Sequence, residues 1–259
     1  MVEIQDNRGL SLVLGSGTSR LQAQRGTCEI ENRFVRIGVS IIMKLTDKVG
    51  LVHQNEICKE IYKVFNVTTV MDLGAGNNPQ EQVCHDLGIR QLLIDLGYPE
   101  SNSESIIRRR VDILDFVKIQ NEVFEFTGQT RVDCVVSIGN IEHLERHDGE
   151  LLLDEVENWA NKVVVFETPN GFVHQGPIDG NQHQIHLSGW TPSDFRKRGY
   201  KVYGTTGLKA LKKNSDKGEY KFSVKGMRFL DVFISRVFFL KFFPNLCFNF
   251  LAYKEVKAI

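Results

Sequence analysis

Residues 70–79, VMDLGAGNNP, set an acid and two glycines directly behind a short apolar run. Glycine costs backbone entropy at such a point, so its use indicates that something must come close to the main chain. The ligand that most often asks for this is a nucleotide-like group lying over a strand-to-helix turn. Further on, Glu142 and His143 follow the run VDCVVSI, and His174, His183 and His186 fall in a long irregular stretch after KVVVFE. Imidazole is the side chain that exchanges a proton near neutral pH. Four of the seven histidines therefore gather behind two strand-like runs, where a base would be wanted.

These residues are positioned by alternating β and α signals. Apolar residues recur at helical spacing between Lys48 and Phe65. VTTVMDL then reads as a strand, and PQEQVCHDLG as a helix opened by proline and closed by glycine. Strands follow at RQLLIDL, IIRRRVDI, VDCVVSI, KVVVFE, YKVYG and LCFNFLAYKEV, with helices at FVKIQNEVFEF, GELLLDEVENWA and TPSDFRKRG. Near-continuous apolar strands are buried on both faces, which means a parallel sheet clothed by helices. Ligands of such sheets sit beyond the carboxyl ends of the strands.

A chain of 259 residues with 42% apolar and 25% charged content holds one α/β domain with a full core. Lys plus Arg equals Asp plus Glu at 32 each, so no global field favours a nucleic acid or an anionic membrane, and no nucleic-acid partner is expected. Five scattered cysteines without CxxC spacing, and no leader pattern, lead us to expect a reducing cytoplasm. Residues 1–42 carry Gly, Ser and Thr without a sustained period and are read as an unassigned, poorly ordered extension before a domain at 43–259. Residues 229–243 read as an amphipathic, Phe-rich helix, too interrupted by Asp231, Arg236 and Lys241 to cross a bilayer. Core packing is its default role; peripheral contact with a membrane or a lipid-linked acceptor, or a homodimer seam, is the alternative.

Two ligands compete for the glycine turn. The NAD fingerprint needs a third glycine three residues after Gly76, and Pro79 stands there. VMDLGAGNNP instead resembles the first motif of class I S-adenosylmethionine-dependent methyltransferases, with Asn78 in place of a further glycine. Asparagine tolerates positive φ better than most residues. The resemblance runs from about Lys48 to Lys254, through QLLIDLGYP, RVDILDF, VDCVVSIGNIEHLER and LCFNFLAYKEV. It implies a Rossmann-like α/β sheet of seven strands in the order 3-2-1-4-5-7-6, the seventh antiparallel. It also implies S-adenosyl-L-methionine bound by Asp72, Gly74, Ala75, Gly76, Asn77, Asp95, Leu96, Asp112, Ile113 and Ile138. Asp95 would accept the ribose hydroxyls, and Asp112 with Ile113 would meet the adenine. Each acid also has a capping reading, Asp95 for its own turn and Asp112 for FVKIQ.

Ile138-Gly139-Asn140-Ile141-Glu142-His143 resembles the Glu-His signature of small-molecule O-methyltransferases, implying His143 as base and Glu142 as its orienting partner. Packing against the cofactor, or capping, is the other reading of His143. The run ETPNG…HLSGWTPSDF…RGYKVYG is similar to methyltransferases of cell-surface polysaccharide clusters. That likeness implies a small-molecule or glycan acceptor beneath a loop carrying His174, His183, His186 and Trp190. Trp190 would stack on a sugar, or else be a core tryptophan beside a Thr-Pro helix start. The small-RNA terminal 2′-O-methyltransferases hold Mg²⁺ with Glu-x-x-Glu-His and a later histidine; Gly139 stands where the first glutamate would be, so no metal is expected. A cofactor-binding partner subunit without turnover is the non-enzymatic alternative.

Overall fold

The computed structural model describes residues 3–5, 11–13, 54–214, 220–222, 227, 230–231 and 240–256. The chain divides into two compact units, Met1–Thr46 and Asp47–Ile259. In the first, β1 (Glu3–Gln5) pairs antiparallel with β2 (Ser11–Val13), a pairing that the Gly- and Ser-rich sequence did not announce.

The second unit is an α/β sandwich. α1 (Gln54–Val64) leads to β3 (Thr69–Leu73), α2 (Glu81–Leu87), β4 (Arg90–Ile94), β5 (Ser101–Asn102), β6 (Ile106–Arg109) and α3 (Phe116–Thr127). β7 (Val132–Ile138), α4 (Arg146–Glu155), β8 (Ala160–Pro169), α5 (Pro192–Lys197), β9 (Lys201–Leu208) and β12 (Cys247–Glu255) complete it. A small ribbon, β10 (Lys212–Asn214) with β11 (Tyr220–Phe222), branches off between β9 and β12.

One open sheet runs β5-β6-β4-β3-β7-β8-β12-β9. Without the two-residue edge strand β5, which lies antiparallel on β6, this is the expected order of seven strands. β12 is antiparallel to both β8 and β9, and the pairings among β6, β4, β3, β7 and β8 are parallel. The central strands Val70–Leu73, Leu92–Ile94 and Cys134–Val136 are buried on both faces, as their unbroken apolar runs require. Parallel registers Leu73↔Ile94 and Ile138↔Glu167 bring their carboxyl ends to one edge of the sheet. The reversed β12 starts at that same edge, with Asn249 opposite Pro169.

Of the Phe-rich stretch 229–243, residues 230–231 and 240–243 are described, so the helix expected there lies mostly outside the described residues. No helix among the described residues is long and apolar enough to cross a membrane.

Candidate active site

The glycine turn leaves β3 in a left-handed conformation: Gly74 has φ 72°, Gly76 51° and Asn78 57°. Asn78 therefore occupies the backbone region for which the sequence replaced glycine with asparagine. Its buried amide pairs reciprocally with Gln91 at 3.2 and 3.1 Å. Gly74 is held by a close approach, since a Cβ there would meet the Asn140 side chain at 2.2 Å. At Gly76 a Cβ would meet nothing within 4 Å, so protein packing leaves that end of the turn open.

Acids surround this turn. Asp95 accepts from the Gly76 amide at 2.8 Å and from the Gly97 amide at 2.6 Å, so it orders the turn as well as its own loop. Asp72 is 1% exposed, and its Oδ2 has no hydrogen-bond partner. Burial, with the Asp95 charge second, pushes its carboxyl up to about 8. Asp112 is exposed and accepts from the Leu114 amide at 3.0 Å. It does not cap α3; Asp115 does, accepting from the Lys118 amide. Ile113 is buried in the core, Ala75 is buried, Leu96 and Ile138 are half-buried, and Asn77 is exposed. An orphaned buried carboxylate oxygen beside an open glycine turn fits a nucleotide-like ligand that carries positive charge.

Next to the turn, beyond β7 and β8, lies a cavity of about 500 Å³. Gly139, Glu142, His143, Glu167, Gln175 and His186 are among its lining, with Asn249 and Phe248 at the start of β12. Gly139 lines it while its neighbour Asn140 packs on Gly74, so turn and cavity share a wall. The residues 141–143 form one 3-10 turn after β7. The loop returns to it: the Leu187 and Ser188 amides both donate to the Glu142 carbonyl, at 2.9 and 3.1 Å. Thr168 Oγ1 donates to Glu142 Oε2 at 2.9 Å, and Asn249 Nδ2 to Glu167 Oε1 at 2.7 Å. Burial pushes Glu142 up to about 8 and Glu167 up to about 7. Burial also lowers both histidines, His186 to about 4, so their imidazoles are neutral at pH 7. His143 Nδ1 lies 3.1 Å from the Ile185 carbonyl and His186 Nδ1 2.7 Å from that of Val173.

No family model matches the chain, and no curated protein does. Among solved structures, it is similar to a SAM-dependent methyltransferase from Archaeoglobus fulgidus, at 14% identity and TM-score 0.42 over 78% of this chain and 94% of that one. It is similar to the 1,6-didemethyltoxoflavin-N1-methyltransferase of Burkholderia thailandensis, at 12% identity and TM-score 0.45 over 99% of each chain. A cyclopropane-fatty-acyl-phospholipid synthase-like protein from Lactobacillus casei gives 11% identity and TM-score 0.41 over 81% and 97%. With every TM-score under 0.5, these likenesses assign neither a function nor a ligand. The strand order on its own is that of the Rossmann-like class I methyltransferase sheet.

The structure brings Glu142, His143 and His186 to one wall and corrects three other expectations. Trp190 does not face an acceptor: it is fully buried, donates Nε1 to Ser188 Oγ at 2.9 Å, and packs between Phe195 and the Arg146 guanidinium. His174 and His183 are exposed and do not line the cavity. Sequence reasoning missed Glu167, Gln175 and Asn249. The acid closing the run KVVVFE was the available signal for Glu167, since chemistry was sought behind every strand.

Proposed function

We propose that this chain is an S-adenosylmethionine-dependent methyltransferase whose acceptor, a small molecule or glycan, presents a hydroxyl to the cavity. The observation that carries this reading is the shared wall, with Gly139 on the cavity and Asn140 on Gly74. It supports a nucleotide-like donor on the turn lying next to a polar chamber. The cofactor would supply an electrophilic methyl group; Asp72, the 74–76 turn, Asp95, and Asp112 with Ile113 would hold it. The chamber aligns the acceptor and receives its proton. His143 is the base in this reading, because its ring is neutral and its Nδ1–H is committed to a carbonyl, which leaves the Nε2 lone pair. Glu142 fixes the adjoining loop through its carbonyl and the chamber wall through its carboxyl.

The described lining contains Glu142 and Glu167 and no Lys or Arg. That favours neutral, hydroxylated acceptors over phosphate-bearing ones such as RNA. Calorimetric titration with S-adenosylmethionine and with NAD tests the donor. Assaying S-adenosylhomocysteine release against a panel of hydroxylated small molecules and oligosaccharides tests turnover. Binding of S-adenosylmethionine with release on one acceptor class is the expected outcome; preferred binding of NAD overturns the reading. Tight binding with no turnover on any acceptor favours the non-enzymatic partner-subunit role.

A further inference from the structure

One oxygen of Glu142 and one ring nitrogen each of His143 and His186 lie within 4.8 Å of one another. They meet on the cavity wall, and each is braced from behind. The Ile185 and Val173 carbonyls face the two Nδ1 atoms. A carbonyl can only accept, so Nδ1 bears the proton in both rings and Nε2 is the nitrogen left to bind an ion; the Gly139 and Gln184 carbonyls also stand beside the His143 ring. Thr168 donates its hydroxyl to the Glu142 carboxylate. An imidazole N–H on a carbonyl and a hydrogen-bonded carboxylate are the supports that metal-ligating side chains carry. The same wall buries Glu167, and the lining holds no Lys or Arg among the described residues, so no side-chain cation there competes for the place.

We propose that Glu142, His143 and His186 bind one divalent transition ion of the zinc class, with a remaining coordination position open to the cavity. Two imidazoles and a single carboxylate suit such an ion, whereas Mg²⁺ and Ca²⁺ want oxygen ligands. Tetrahedral bonds of about 2.0–2.2 Å set ligand atoms about 3.4 Å apart, within reach of side-chain rotation from the observed spacing. Metal binding stands independently of methyl transfer, but the role of the ion rests on that reading. In the ion-loaded protein the ion would make a hydroxyl at the open position a stronger acid, its proton going to solvent water; in the ion-free protein His143 keeps the role of base.

The test uses the full chain, stripped with chelator and titrated with Zn²⁺ by calorimetry and with Co²⁺ by visible absorption. The expected result is one ion per chain and a cobalt spectrum of low-coordinate nitrogen and oxygen ligation. His186→Ala should weaken Zn²⁺ by about 10²-fold or more, and Thr168→Val, which keeps all three ligands, by about 10-fold. Circular dichroism checks the fold of each variant, and His143→Gln replaces His186→Ala if the latter does not fold. No stoichiometric binding by the wild type, or binding that His186→Ala leaves unchanged, overturns the proposal. Stoichiometric binding without methyl transfer upholds the ion site and counts against the proposed activity. Methyl transfer by an ion-free protein that does not bind Zn²⁺ does the reverse.

Discussion

Asp95 and Asp72 flank the same turn and face different tasks. Asp95 spends an oxygen on each of two backbone amides, yet a carboxylate has lone pairs left for a ligand hydroxyl. Asp95→Ala should therefore weaken S-adenosylmethionine by about 1.5–3 kcal/mol, the range for hydrogen bonds to a charged group, as read by calorimetry. Unchanged affinity would remove Asp95 from the cofactor site. Asp72 holds its proton at neutral pH, with its carboxyl pushed up to about 8 by burial and then by Asp95. A cationic ligand favours its ionised form, so binding at pH 7 should release a proton, and affinity should climb as pH rises towards 8. Titrations in two buffers of different ionisation enthalpy measure that proton; heats independent of buffer would contradict it. In the free protein, the native state keeps a proton that the unfolded chain gives up near the ordinary value of 3.8. Asp72 thus makes the fold less stable as pH rises from about 4 to 8, and Asp72→Asn should flatten that slope. At His143 the expected change is kinetic: His143→Ala should lower kcat by about 10²–10⁴-fold and leave cofactor affinity in place. A wild-type rate in that variant would leave alignment alone as the source of catalysis.

At the scale of elements, α4 and the end of the loop between β8 and α5 are fitted to each other. Gly149 lies within α4, and a Cβ there would meet the Trp190 ring at 2.4 Å. Helix propensity alone favours alanine by about 1 kcal/mol. Overpacking a buried indole should win, so Gly149→Ala is expected to destabilise the domain by about 1–3 kcal/mol in denaturant titration. A more stable variant would show that Trp190 can move aside. This contact also illustrates what the sequence conveys. Strands β3, β4, β7 and β8 were legible because burial on both faces forces unbroken apolar runs, and the turn at 74–78 because its backbone excludes most residues. The strand β5 and the ribbon β10–β11, at two and three residues per strand, are too short for any period to show. That a later histidine could join Glu142 and His143 was legible from their common place behind the strands, but which of His174, His183 and His186 does so was not. That choice depends on backbone hydrogen bonds from Leu187 and Ser188 to Glu142, which no side-chain pattern encodes.

For the molecule as a whole, the sequence reading starts the domain at Met43, and the second compact unit is Asp47–Ile259. A chain beginning at Met43 is expected to keep the thermal midpoint and cofactor affinity of the full chain. A fall of many degrees would show that the first unit supports the second. The loop between β8 and α5 bears on the whole protein in a further way. Its far end is fixed to the Glu142 carbonyl by two amides and anchored by the buried Trp190. Hydrogen bonds recorded within 176–183 stay inside the loop, and a Cβ at Gly176 or Gly180 would meet nothing within 4 Å. Swinging the entire loop away would pull on the very turn that carries Glu142 and His143, so 176–183 is the part of it left to make way for a guest.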